Sequence, residues 1–367
     1  MIPVYEPSLG REELENIVEA VKTGWISSRG KFIPEFEQKF AEYCGSTYGV
    51  ACSNGTTALH LALTALGIQK GDEVIVPTLT FVSTANAVVF TGAKPVFVDS
   101  NPNYWCIDPE RITSAITKNT KAIIPVHLYG HPSEMKAIMR IAKENQLYVI
   151  EDAAEAHGAR CYNQKIGGIG DVGCFSFYGN KMITTGEGGM CMTKNEEIAE
   201  KMKILRDHGM TPKRKYWHDR IGFNYRMTNL QAALGVAQIK KLDDIICKKR
   251  MIAEGYQKKF EELETKKLIT CHPEMPWAKN TYWMYSILIE KNFPISRDTL
   301  VKRLEEENIE TRPFFYPLHV FPMYNTGKKF PISEELSKKG INLPSSANLE
   351  EREIHHITEK IYTIINS

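Results

Sequence analysis

The chain has 367 residues, 43% of them hydrophobic and 25% charged, with a net charge of +2. That is the composition of a globular protein with room for a large core, and so balanced a charge gives no reason to expect nucleic acid or an anionic membrane as partner. The 8 cysteines are scattered, with no CxxC pair. They argue against a disulfide framework or a metal site and for a reducing compartment, taken as the cytoplasm. Met1 to Glu15 turns acidic early, so no signal peptide is expected, and no run is apolar for long enough to span a bilayer.

Pro7 to Thr23 reads as an amphipathic helix, with Leu14, Ile17, Val18 and Val21 on one face. Trp25 to Lys31 is a polar loop carrying Ser28, Arg29 and Lys31; it suits either a solvated linker or a lid over an anionic substrate. Pro34 opens a second helix. From Tyr48 to about Thr193 apolar strands (Val74–Val76, Pro95–Val98, Ala122–Val126, Tyr148–Ile150, Val172–Phe177) alternate with helical runs. This is the pattern of an α/β fold with a mostly parallel sheet between helices. Gly168 to Gly173 matches the dinucleotide pattern GxGxxG. It precedes a strand instead of joining a strand to a helix, so it is read as a loop and NAD binding is not expected. Thr211 to Arg220 mixes cations with aromatics, among them Lys215, Trp217 and Arg220. It is either an exposed basic loop or a grip on a diphosphate and a base. Thr228 or Asn229 caps a long helix. Composition then turns rich in Lys and Glu, and a domain boundary is expected there: residues 1–245 as a large ligand-binding domain with an N-terminal arm, and 246–367 as a smaller α+β domain.

Three stretches carry chemistry. Phe175 to Gly189 runs a short strand into Lys181 and then a glycine-rich turn. Lys181 is either a surface lysine before a loop or a lysine aimed from a strand end into a dry cleft, where it loses its proton readily and becomes a nucleophile able to condense with an aldehyde. Leu147 to Asp152 reads as a buried strand ending in acid, and Asp152 there either caps a following helix or faces a cation. The pyridinium nitrogen of pyridoxal 5′-phosphate (PLP) is such a cation. Ser53 to Leu59 opens an apolar helix with Gly55, Thr56 and Thr57; this is either an ordinary N-cap or a place where amides, hydroxyls and helix dipole converge on a phosphate.

These runs, with Gly71–Pro77, Thr80–Ala87, Glu151–Gly158 and Gly222–Thr228, resemble the nucleotide-sugar aminotransferases of fold type I, the DegT/StrS group. The resemblance spans most of the chain. It implies PLP as cofactor, passing through pyridoxamine phosphate, with Lys181 as its covalent anchor and proton carrier and Asp152 on the ring nitrogen. It implies Phe81 on the ring face, Glu155 at the ring edge and Ser176 on the phosphate. Asn224 would reach the phosphate of the other subunit, which makes the protein a homodimer with its site at the interface. Many relatives carry glutamine at position 155. A related dehydratase group has histidine in place of the lysine, so Lys181 argues for amino transfer. Gly24–Lys31, Lys215–Asp219 and Arg312–Tyr316 narrow the likeness to members that use L-glutamate to aminate C4 of a GDP-linked 4-keto-6-deoxymannose for glycan assembly. Ser28, Arg29, Lys31, Lys215, Trp217, Arg220 and His319 would then meet the substrate, although a lone histidine is more often structural. The rival readings are an aminotransferase for a UDP- or dTDP-linked 4-keto or 3-keto sugar, a non-catalytic regulator that binds PLP or sugar, and an NAD-dependent epimerase.

Overall fold

A computed structural model describes residues 1–211 and 213–366; Pro212, inside the predicted basic loop, and Ser367, at the end of the predicted second domain, lie outside it. Helices α1 (Arg11–Lys22) and α2 (Phe32–Cys44) precede the alternating region. That region runs β1 (Tyr48–Cys52), α3 (Gly55–Ala65), β2 (Glu73–Pro77), α4 (Ser83–Phe90), β3 (Lys94–Val98), α5 (Pro109–Ala115), β4 (Thr120–Ile123), α6 (Met135–Glu144) and β5 (Tyr148–Asp152). A small hairpin, β6 (Arg160–Cys161) and β7 (Gln164–Lys165), leads to β8 (Val172–Ser176) and β9 (Gly189–Thr193). Then come α7 (Glu196–Arg206), α8 (Asn229–Lys240) and α9 (Leu242–Thr265). The last part holds β10 (Ile269–Cys271), β11 (Ala278–Lys279), β12 (Tyr285–Ile289), α10 (Arg297–Glu306), β13 (Arg312–Pro313), α11 (Pro331–Lys339), β14 (Gly340–Leu343) and α12 (Glu351–Asn366).

Seven strands form one sheet in the order β1-β9-β8-β5-β4-β2-β3, with β9 antiparallel to both neighbours and every other pair parallel. Buried apolar strands such as Val172–Ser176 carry no polar face because helices cover both sides. The carboxyl ends of β1, β2, β5 and β8 open on one edge, the place where such sheets bind ligands. A second sheet, β10-β12-β14-β13, is wholly antiparallel and packs with α9, α10 and α12. The buried cluster against the large sheet takes in Leu242, Ile245 and Ile246 of α9; the cluster around the second sheet begins at Ile252. Main-chain links join the regions, among them the pairing of β11 with β6, the Ile2–Ile309 bridge and the Leu318 N–H on the Thr78 carbonyl. Among the described residues no helix is long and apolar enough to cross a membrane.

Most of the apolar stripe of α1 does not turn inward: Leu14 and Val21 are 63% and 59% exposed, whereas Ile17 packs partly against the core, Glu13 and Ala20 are buried, and α1 packs on α8. Glu13 is worth burying because its carboxylate takes the Gly10 N–H and meets the Lys241 ammonium and the Gln238 amide. Nor does a helix follow Asp152. The chain makes successive turns to Gly158, whose φ of +77° suits a residue without a side chain.

Candidate active site

The cleft at the strand ends encloses about 500 Å³, within the range of small-molecule sites. Sequence order puts its parts on different elements, and the parallel sheet brings them together. Asn54 caps α3, its side chain accepting from the Thr57 N–H at 2.9 Å, and the Thr57 hydroxyl bonds back to Asn54. The amides of Gly55 and Thr56 therefore remain free to point at an anion from the positive end of the helix. Gly55 is pressed against β8: a Cβ there would lie 2.7 Å from Ser176 Cβ, so only glycine allows this approach.

Asp152 ends β5, buried. One carboxylate oxygen accepts from Thr84 Oγ1 at 2.7 Å and the other from the Ala154 N–H at 3.3 Å. Burial raises its pKa above the usual carboxylate value; the Thr84 hydroxyl and the more distant Lys181 only partly oppose this. Lys181 lies in the loop after β8 with its side chain 13% exposed, and its amine stands 3.9 Å from Glu155. Burial lowers the amine's pKa, and Glu155 and then Asp152 act against it. Burial likewise lifts Glu155 to about 7. Desolvation thus moves both partners toward neutral forms and outweighs their attraction, so the uncharged amine forms more readily here than on an exposed lysine.

Glu155 also accepts from the Tyr129 N–H at 2.8 Å. A carboxyl whose folded pKa lies above its unfolded value stabilises the fold below the unfolded value, and that contribution is lost as pH rises to the folded one. The cofactor-free protein is therefore expected to lose up to a few kcal/mol of stability from this group between about pH 4.5 and 7. Urea unfolding across that range checks this; Glu155→Gln should flatten the profile, and an unchanged slope would contradict it.

Gly55, Thr56, Thr57, Phe81, Asp152, Glu155, Ser176 and Lys181 all line this cleft. Phe81 is 54% exposed, which suits a ring that faces a ligand better than one that packs a core. Asn224 does not line it: its side-chain oxygen accepts from Arg226 at 2.8 Å. Ser28 faces a separate small hollow beside Arg206 and Arg226, Lys31 pairs with Glu19, and Arg29 and Arg220 are exposed. Lys215 lies over the Tyr216 ring and Trp217 donates to Asp219 at 2.9 Å. His319 is 5% exposed, with one ring nitrogen 2.7 Å from the Thr78 hydroxyl and the other 3.2 Å from Glu334. The GxGxxG loop serves an internal acid: the Gly167, Ile169 and Gly170 amides donate to buried Glu151, each at 2.8 Å. Sequence reasoning missed Thr84, Asn54, Trp283 and Phe315 in the cleft. Thr84, Asn54 and Phe315 sit inside runs already singled out; Trp283 does not, and comes from the far end of the chain.

These residues fit PLP. A buried acid lacks a close cation, a glycine cradle at a helix N-terminus has room for phosphate but not for a side chain, and a desolvated amine stands in the same cleft. Such a cleft on a mostly parallel sheet defines a PLP-dependent aminotransferase of fold type I. The chain belongs to the DegT/DnrJ/EryC1/StrS aminotransferase family, which it matches over residues 7–362. It is 47% identical to GDP-perosamine synthase of Escherichia coli O157:H7, over 98% of this chain and 97% of that one. It is 44% identical to GDP-perosamine synthase of Caulobacter vibrioides, over 97% and 96%. Among solved structures it resembles Streptomyces venezuelae DesV in complex with a ketimine intermediate, with a TM-score of 0.90, 32% identity and coverage of 97% and 95%.

Proposed function

We propose that this enzyme moves the amino group of L-glutamate to C4 of GDP-4-keto-6-deoxy-D-mannose, giving GDP-perosamine for O-antigen or another glycan. The observation that carries the reading is the Lys181 amine, desolvated and facing Asp152 and Glu155 at the strand edge, in a chain nearly half identical to GDP-perosamine synthases over almost its full length. Bound PLP supplies the electron sink. Lys181 would anchor the cofactor through its amine and serve as the acid–base group beside it. Asp152, held in aim by Thr84, would keep the pyridine nitrogen protonated. The Gly55 and Thr56 amides, Thr57 and Ser176 would hold the phosphate, with Phe81 toward the ring face and Glu155 toward its edge.

In this reading the enzyme works in the cytoplasm as a homodimer. The exposed apolar residues of α1, with Trp25 and Ile26 at 55% and 48% exposure, support burial against a second copy. Asn224 then completes the phosphate site of the partner, and the loops holding Ser28, Arg29, Lys31, Lys215, Trp217 and Arg220, with His319, bound the sugar nucleotide. Residues 1–245 form the cofactor-binding domain and 246–367 the smaller one, a division supported by the change of buried cluster along α9.

Incubating the purified protein with glutamate and a panel of GDP-, UDP- and dTDP-linked keto sugars, with products read by mass, tests the substrate. The GDP-4-keto sugar should be aminated at C4 with a kcat/KM at least about tenfold above any other, the scale of one well-made pocket contact. Preference for a UDP or dTDP sugar would overturn the substrate and leave the aminotransferase standing.

A further inference from the structure

Trp283 comes from the segment before β12, in the C-terminal sheet, yet it reaches the cleft and is 4% exposed. It touches the Lys181 segment at two points. Its ring centroid lies 4.0 Å from the Lys181 ammonium, and its indole N–H donates to the Asn180 carbonyl at 2.6 Å. Trp283 is itself fixed. Its carbonyl accepts from the buried Lys249 ammonium at 2.8 Å, and its ring stacks on Tyr129, the residue whose amide holds Glu155. On the opposite side the Tyr5 hydroxyl donates to the Lys181 carbonyl.

We infer that Trp283 is the positioning residue of Lys181: its ring face holds the free ammonium and its N–H fixes the preceding peptide, so the amine keeps one resting place whenever it is not bonded to the cofactor. An ammonium over an indole face is attracted by the ring's negative centre, most strongly where water is excluded. Lys181 is in that situation, and its opposing carboxylate, at 3.9 Å, is too far for a hydrogen bond. The charged and titratable groups that face the amine are Glu155 from the turn after β5, Asp152 at the end of β5, and His157, buried behind β8. Glu155 at 3.9 Å and the ring centroid at 4.0 Å flank the amine at nearly equal distance, and neither carboxylate is within hydrogen-bond reach of it. The arrangement also ties the second sheet to the reactive lysine, since Lys249 bonds both the Trp283 and the Ser345 carbonyls.

The inference rests on Lys181 being the cofactor-bearing amine, so borohydride fixation of PLP at Lys181 in the unmodified protein comes first; its absence refutes that reading, not the role of Trp283. The test then follows PLP capture by cofactor-free protein against pH, with a tetrafluorinated tryptophan installed at position 283. Fluorination empties the ring face of negative charge and keeps the shape and the N–H. Weakening the ammonium's support lets the neutral amine appear at lower pH, so the rising limb should move down by about one pH unit, with the melting temperature unchanged. Trp283→Phe keeps a weaker face and should move it less. An unmoved limb in the fluorinated protein, or a larger movement in the Phe variant than in the fluorinated one, would overturn the role.

Discussion

Replacing Lys181 by alanine is expected to lower amino transfer by at least about 10³-fold, because one side chain serves as both covalent anchor and proton carrier. The loss should not come from unfolding. Among the described residues the amine's one ion-pair partner is Glu155 at 3.9 Å, and burial already disfavours the charged form of each. Without the lysine, Glu155 keeps its proton to higher pH and no stranded charge remains. The cofactor-free variant should therefore melt no earlier than the unmodified protein, and it should still bind the sugar nucleotide in a calorimeter. Single-turnover conversion with glutamate reads the loss. A variant that retains more than a tenth of the activity would remove Lys181 from the chemistry.

Asp152→Asn is expected to cost about 10²–10³-fold, the scale for deleting one preorganised electrostatic partner of a developing charge. The carboxylate is dry and held by Thr84 and Ala154, so it is aimed before the cofactor arrives. An amide in the same place can still accept from Thr84 but cannot balance a protonated ring nitrogen. The substitution removes a buried charge, so stability should hold or rise. The half-reaction with glutamate measures the effect, and a rate within threefold of the unmodified protein would contradict the assignment.

Much of this site was legible because it is built from strand ends. Asp152 closes an apolar run, Lys181 follows an alternating one, and Gly55-Thr56-Thr57 opens a helix; each signal is local and the parallel sheet does the assembling. Trp283 was not legible, since only the docking of the second sheet brings it to a lysine about a hundred residues away. Glu155 is brought to Lys181 by tight turns after β5, not by the helix that Asp152 could have capped. The stripe on α1 was legible as an apolar face, but amphipathicity states which face is apolar, not what covers it. In the single chain α1 turns Glu13 and Ala20 inward and leaves Leu14 and Val21 outside.

Borohydride reduction of the PLP-loaded protein, followed by peptide mapping, tests the central claim most directly. Label on the peptide containing Lys181 alone, abolished by Lys181→Ala and by prior addition of glutamate, is the predicted result. Label on another lysine, or a protein that stays colourless and unlabelled when supplied with the cofactor, would contradict it.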